Sequence, residues 1–516
     1  MKKIFLVWMA GTILLLNACS KNDSTAEPTP ENKDLTILGL VDFVAEFPIT
    51  ATGGWTVEIP ADADWLEVDK KIGTGDATLQ FKCTKASTGT ALQAVVKVIL
   101  NGRIIHLTVK QEAFYTSAGT SMFGGESYDD IGKILPTADG GYIMVGATAS
   151  RTGLFNGNPD PGMTEAFAIK FNEAGTVVWK KFYGGNRNDE FSGIAPTKDG
   201  GFVIVGRSAS NTGAFAGNKG GPDIWVQKID KDGNPGWMRL FGSTDQDSGG
   251  DVLVLDDETI IVSGVGGGNN HDFASTHGGD GDVWIACLDK DGNTKWKKCY
   301  GGSDYESGRV KLIPSSDGNF IFSAFTQSTD GDLEGVTGGG EQDGWLCKID
   351  DHSNVLWSKK IGGSGDDVIV AMIPTDDGGA LIAGGAGTGN FYGATITDNR
   401  DGFVMKVNGE GVRQWSTTVN EGANESFLSL TRYKGNSIAI AGSHYSEAGL
   451  DGLLCFMDGT GKKLWTRKIA GNNTDVINNI ITLKNNSVVG AGYSTSTGGD
   501  IPKNEGDFDI FFHNFR

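Results

Sequence analysis

The feature that most constrains this chain is a repeat of about sixty residues. Its clearest copy is Asp282-Val-Trp-Ile-Ala-Cys-Leu-Asp-Lys-Asp-Gly-Asn-Thr-Lys-Trp-Lys-Lys-Cys-Tyr-Gly-Gly-Ser-Asp-Tyr-Glu306. Its parts (Asp-x-Trp, polar turn, Trp, Gly-Gly-acid) return along everything after about residue 114. The residue before the Gly-Gly-like dipeptide falls at Phe123, Tyr183, Phe241, Tyr300, Ile361, Val419 and Ile469, with spacings of 60, 58, 59, 61, 58 and 50. That makes seven copies. A period of this size marks a fold in which one supersecondary unit is repeated and each copy buries its faces against its neighbours.

One copy reads as four short strands. Asp189-Glu-Phe-Ser-Gly-Ile-Ala-Pro196 is acid-led, turns at Asp199-Gly200-Gly201 and continues as Phe202-Val-Ile-Val-Gly206, which is apolar on both faces. Strands without a wet face are expected when each sheet lies between two others. A glycine-rich loop, a third strand, a polar turn such as Asp230-Lys-Asp-Gly-Asn234 and a fourth strand holding a tryptophan complete the unit. This is the blade of a β-propeller. Third strands number seven, centred on Phe167, Trp225, Trp284, Trp345, Phe403, Leu453 and Phe511. Fourth-strand tryptophans number six: Trp179, Trp237, Trp296, Trp357, Trp415 and Trp465. The last blade lacks its outer strand, and the orphan segment from Phe114 to Phe123 is the expected partner that closes the ring. The repeats resemble the sixty-residue propeller repeats common in secreted and lipidated bacterial proteins, a family with no single activity.

Before the repeats, Trp55-Thr-Val-Glu-Ile, Trp65-Leu-Glu-Val, Ala77-Thr-Leu-Gln-Phe-Lys, Val95-Val-Lys-Val-Ile-Leu and Ile105-His-Leu-Thr-Val-Lys-Gln-Glu112 alternate with period 2, and Asn101-Gly102 signals a hairpin. Gly53-Gly54-Trp55-Thr56-Val57, Asp64-Trp65-Leu66 and Leu107-Thr108-Val109-Lys110-Gln111-Glu112 resemble the BACON domain, an immunoglobulin-like module of Bacteroidetes surface proteins. The resemblance implies carbohydrate or mucin binding, with a plain spacer as the alternative, and Trp55 and Trp65 are read as core.

At the N-terminus a basic start, a short apolar run from Ile4 to Leu16 and Leu16-Asn17-Ala18-Cys19 resemble the signal peptide and lipobox of bacterial lipoproteins, which implies acylation of Cys19. The expected organisation is a signal peptide (1–18), a lipidated tether (19–34), a BACON-like sandwich (35–113) and a propeller (114–516). The expected fold class is all-β, an immunoglobulin-like sandwich followed by a seven-bladed β-propeller closed by an N-terminal outer strand.

Composition narrows the partners. Of 516 residues 78 are glycine, without a collagen-like period, as suits many tight turns. The net charge of −20 argues against nucleic acid and anionic lipid surfaces. Every copy carries an acid shortly after the Gly-Gly-like dipeptide: Asp129, Asp189, Asp247, Glu306, Asp367, Glu425 and Asp475. This ring is read as structural, tying blades through backbone amides, because a binding site uses residues that differ between blades. The alternative is a ring that holds a cation, such as a structural Ca2+, or a hydroxyl-rich ligand; no cofactor is expected. Ligand-binding candidates are instead the irregular loop residues His271, Asp272, His277, Asp330, Asp332, Phe391, Tyr392 and Tyr445. Asp230-x-Asp-Gly and Asp289-x-Asp-Gly lack the glutamate of a calcium loop and read as hairpin turns. Cys83, Cys287, Cys299, Cys347 and Cys455 read as buried free thiols. No catalytic residue is assigned. The expected protein is an outer-membrane, surface-exposed lipoprotein that binds glycan or a surface protein; a propeller glycan lyase or hydrolase and a protein scaffold are the alternatives.

Overall fold

Strand alternation builds the first part of the chain. In the computed structural model of the protein the described residues are 31–37, 44–85, 91–111, 119–159, 163–274, 276–278, 281–446, 449–501, 504 and 506–515. Cys19, its leader and Phe114 to Ala118 lie outside them. The chain divides into two compact units, Met1–Phe114 and Tyr115–Arg516. In the first, Leu92–Leu100 turns inward Ala94, Val96 and Val98, and Arg103–Gln111 turns inward Ile105, Leu107 and Val109. Asn101 and Gly102 join them in a two-residue turn with positive φ at both positions.

These strands belong to a five-stranded sheet in the order Glu31–Ile37, Arg103–Gln111, Leu92–Leu100, Gly54–Glu58 and Ile72–Thr74. A three-stranded sheet (Val44–Ile49, Ala77–Cys83, Leu66–Val68) packs on it over one core that holds Trp55, Trp65, Phe81 and Leu107. Trp55 also donates its indole N–H to the Gly75 carbonyl at 3.0 Å. The strand Glu31–Ile37 pairs in parallel with Arg103–Gln111. Residues 31–34 of the stretch 19–34 that was expected to be a tether thus belong to a strand, because the edge of Arg103–Gln111 offers Glu31 to Ile37 a ladder of backbone partners.

In the second unit the described residues form seven four-stranded antiparallel sheets in chain order. The first comprises Asp129–Pro136, Tyr142–Thr148, Glu165–Phe171 and Val177–Tyr183. All residues of its second and third strands are buried, whereas the fourth is half exposed. The first strand of each sheet touches that of the next, and Asp129–Pro136 touches Asp475–Thr482 of the last, so the succession closes. This is β-propeller topology. Its closing seam is made by Gly119–Phe123, the described part of the segment expected there, which pairs with Asp509–Phe515 from Ile510↔Phe123 to Asn514↔Gly119. Across the seam Met144 and Phe167 of the first sheet share a core with Val489 and Phe512 of the last.

The tryptophans fasten neighbours. The indole N–H groups of Trp179, Trp237, Trp296 and Trp357 donate to carbonyls of Lys231, Lys290, Asp351 and Gly409, each in the third-to-fourth-strand turn of the following sheet. The turn glycines Gly233 and Gly292, at φ of 79° and 78°, lie against those rings so closely that a Cβ would clash.

Candidate functional site

Register places the variable loops. Asp129 lies opposite Thr148, and Thr148 opposite Glu165, so the inter-sheet links and the loops between second and third strands share one face. The Asp-Gly-Gly and Asp-x-Asp-Gly turns occupy the other. Asp230 accepts from the backbone N–H of Asp232 and Asn234 at 2.9 and 2.8 Å, and Asp289 does the same in its turn. These carboxylates are spent on their own hairpins.

The seven repeated acids are buried. Asp129 accepts from Gly125 N–H (3.0 Å), Thr148 Oγ1 (2.5 Å) and Ser150 Oγ (3.0 Å). Asp189 holds Gly185 N–H, Ser208 and Ser210; Asp475 holds Gly471 N–H, Ser494 and Ser496. Asp247 takes Ser243, Glu306 takes Gly302 and Thr326, and Asp367 takes Gly363 and Gly387. In Glu425 the partner is His444, whose Nδ1 lies 2.7 Å away while its Nε2 lies 2.7 Å from Lys468 Nζ. Apart from Asp247, which holds Ser243 of the entering link, each acid thus ties the chain entering a sheet to that sheet's second strand or the residues just past it.

A second set of acids lies in the third strands, as first residue in five of them and inside the longer ones of the fifth and sixth sheets: Glu165, Asp223, Asp282, Asp343, Asp401, Asp451 and Asp509, all buried. The sequence reading noted the acid-led strand but not what it faces. Gly184 lies between Glu165 and Asp189, Gly301 between Asp282 and Glu306, and Gly362 between Asp343 and Asp367. Like charges are therefore buried side by side. Burial pushes Asp129 up to about 7, with Asp509 adding to the rise, and Asp247 to about 7, with Asp223 adding. Asp367 rises to about 6 through burial and then Asp343.

The loop candidates divide. His277 lies between Asp282 (3.7 Å) and Asp332 (3.7 Å) where the third and fourth sheets meet. Burial holds Asp282 at about 6, opposed by the His277 amide and ring. Asp332 accepts from Gly301 N–H, and Asp330 from Ser303 N–H at 2.7 Å. Asp272 accepts from Gly242 N–H and binds the ammonium groups of Lys219 (2.6 Å) and Lys297. These three acids hold loops, while His271 is exposed beside them. Phe391 is corrected from ligand contact to core: it is 1% exposed and packs 4.8 Å from Phe403, as Phe155, Phe215 and Phe273 pack on Phe167, Trp225 and Trp284 in other sheets. The apolar plug under each loop excludes it from any ligand.

Tyr392 and Tyr445 do reach solvent, at 36% and 54% exposure. In the fifth sheet the second and third strands extend into a long hairpin, Ala380–Phe391 and Ala394–Val407, with Tyr392 and Gly393 at its tip. Both have positive φ, 48° and 96°. The Tyr392 ring carries the Arg413 guanidinium 4.9 Å from its centroid and walls a groove of about 430 Å³ with Gly335 to Gly338, Ser358, Lys359 and Lys360. A larger cavity of about 590 Å³ lies among the first strands, where Lys133 meets Asp251 at 2.6 Å; Lys311 lines it too, and the rest of its wall is largely apolar. Lys359, Lys360 and Arg413 were not singled out by sequence, since each reads alone as an ordinary surface cation.

No family model matches the chain. It is 24% identical over 345 residues to the regulatory protein FlaEY of Caulobacter vibrioides, which covers 59% of this chain, and the chain spans only about a third, 35%, of that relative. Among solved structures it is similar to the polysaccharide lyase Uly1 (10% identity, TM-score 0.42, covering 76% of this chain and 92% of that one). It is also similar to the propeller domain of the trilobed protease from Pyrococcus furiosus (10%, 0.40, 75% and 98%) and to puromycin hydrolase (12%, 0.42, 73% and 54%).

Proposed function

We propose that the chain is a lipoprotein anchored through acylated Cys19 in the outer membrane and exposed at the cell surface. On this reading it carries an immunoglobulin-like, BACON-like domain and a seven-bladed β-propeller that recognises glycan through its loop face. The two-sheet sandwich and the seven successive four-stranded sheets support the domain readings. The observation that carries the function is the exposed aromatic rim, with Tyr392 walling an open groove and Tyr445 more than half exposed. Tyrosine offers an apolar ring face to sugar C–H groups and a polar tip to hydroxyls. Among the described residues no helix is long and apolar enough to cross a membrane, which fits anchoring by lipid.

The alternative of a glycan lyase or hydrolase is favoured by one observation, the His277 imidazole flanked by Asp282 and Asp332, since paired acid and base groups are what such chemistry uses. Its two acids are already engaged by backbone amides of Gly301 and His277. Screening the chain from residue 20 on a glycan array, with bound sugars checked by mass, separates the readings. Retention without cleavage supports the binder, new reducing ends support the enzyme, and no retained glycan overturns both.

A further inference from the structure

We infer that the Tyr392 groove selects an anionic sugar, one bearing a uronate carboxylate or a sulfate ester. The inference rests on the glycan-binding reading and names the ligand class of that same site. It starts from charge. The protein has 64 acidic against 44 basic side chains, so cations gathered at one place stand out against the whole. Several lysines elsewhere on the propeller are matched by acids: Lys170 lies on Asp139, Lys228 on Asp199, Lys348 on Asp317, Lys406 on Asp377, and Lys219 and Lys297 share Asp272. Others, such as Lys180 and Lys298, are held by backbone carbonyls. Lys359, Lys360 and Arg413 form no salt bridge among the described residues. Lys359 and Arg413 are exposed and Lys360 is half buried.

Tyr392 is common to all three: it lines the groove with Lys359 and Lys360, and its ring carries Arg413. A tyrosine with φ near 48° occupies a conformation that glycine or asparagine adopts more readily, and such strain persists where the surroundings hold it. Here the tyrosine hydrogen-bonds the Gly362 backbone and lines the groove together with Lys359 and Lys360. Gly335, Val336, Thr337 and Gly338 also line the groove, whose volume of about 430 Å³ leaves room for a ring-sized ligand. A neutral sugar would use the tyrosine but leave both ammonium groups unmatched. An acidic sugar uses all of them, and a planar carboxylate or a sulfate fits ammonium groups that form no salt bridge, Lys359 above all, since Lys360 has the buried Asp343 near it.

The probes are polygalacturonate for the carboxylate, dextran sulfate for the sulfate ester, and dextran as the neutral control, bound to the whole chain from residue 20. We expect the polyanions to be retained and dextran not, with affinity falling at least tenfold between 50 and 500 mM NaCl as screening shortens the reach of the charges. Lys359→Ala with Lys360→Ala should lower polyanion affinity at least tenfold, and Tyr392→Asn should do the same. Retention of polygalacturonate alone assigns uronate, of dextran sulfate alone the sulfate ester, and of both a site that reads charge. Because Lys360 also faces the buried Asp343, Lys359→Ala alone serves as the variant that leaves the fold untouched. Polyanion binding that survives these substitutions overturns the inference. Equal binding of neutral glycans overturns it too but leaves the glycan reading standing, whereas no glycan bound on any array overturns that reading itself.

Discussion

Trp179 Nε1 donates to the carbonyl oxygen of Lys231 at 3.1 Å, so the outer strand of one sheet is fastened to a turn of the next. The same bond recurs from Trp237, Trp296 and Trp357. At the closing seam the equivalent position on the fourth strand of the last sheet is Gly119, which has no indole to give. Trp296→Phe keeps an aromatic ring but removes the donor and the pyrrole half of the indole, and should cost at least about 1 kcal/mol, read by denaturant unfolding. An unchanged midpoint would show that water replaces the bond.

The seam without the indole is where the ring should open first. Deleting residues 114–123 exposes the backbone edge of Asp509–Phe515 and strips Thr120 from His513 Nδ1, 2.8 Å away. The melting temperature should fall by more than for any other ten-residue surface deletion, and hydrogen exchange should quicken first in Asp509–Phe515. An unchanged melting curve would refute this.

The repeated acids should matter to stability and not to ligand. Asp189→Ala leaves Gly185 N–H, Ser208 and Ser210 without their acceptor, at about 1–3 kcal/mol for each donor that water does not reach. Asp367→Ala does the same to Gly363 and Gly387. Thermal unfolding should register both while glycan affinity holds. A stable variant that loses binding or a calcium requirement would reassign the ring as the site.

Stability should fall as pH rises. Asp129 and Asp247, at about 7, and Asp282 and Asp367, at about 6, bind protons in the folded chain that the unfolded chain releases near 4. Between about pH 4 and 7 the folded state therefore holds more protons, so raising the pH favours unfolding by on the order of a few kcal/mol per carboxyl. Melting temperature should decline from pH 5 to 8, and Asp129→Asn should flatten the decline. A melting temperature that climbs through this window would mean that the pairs are ionised without cost.

Anchoring has its own test. Cys19→Ser should move the protein from the membrane fraction to the soluble one, since a diacylated cysteine is the only anchor proposed for it. Continued sedimentation with membranes would point to a partner that retains it.

Adjacent residues show where local reading ends. Phe391 and Tyr392 both looked like loop aromatics, yet one is core and the other walls a groove, because the long hairpin bends its tip back over Phe403. Nothing local distinguishes them. Conversely Trp225, Trp284 and Trp345, placed from the repeat alone, are buried as the doubly covered third strands require.

What the sequence by itself determined is whatever follows from period and local sterics: seven copies of four strands, glycine at turns of positive φ, an acid at the head of each first strand, and a first strand left over to close the last sheet. Tertiary structure alone decided what each of those groups faces. The pairing of Asp282 with Glu306, or of Lys360 with Tyr392, joins residues of successive sheets. Whether a carboxylate sits among amides or beside its own kind, and whether a lysine meets an acid or an open groove, depends on neighbours brought in by packing, and no period in the chain encodes them.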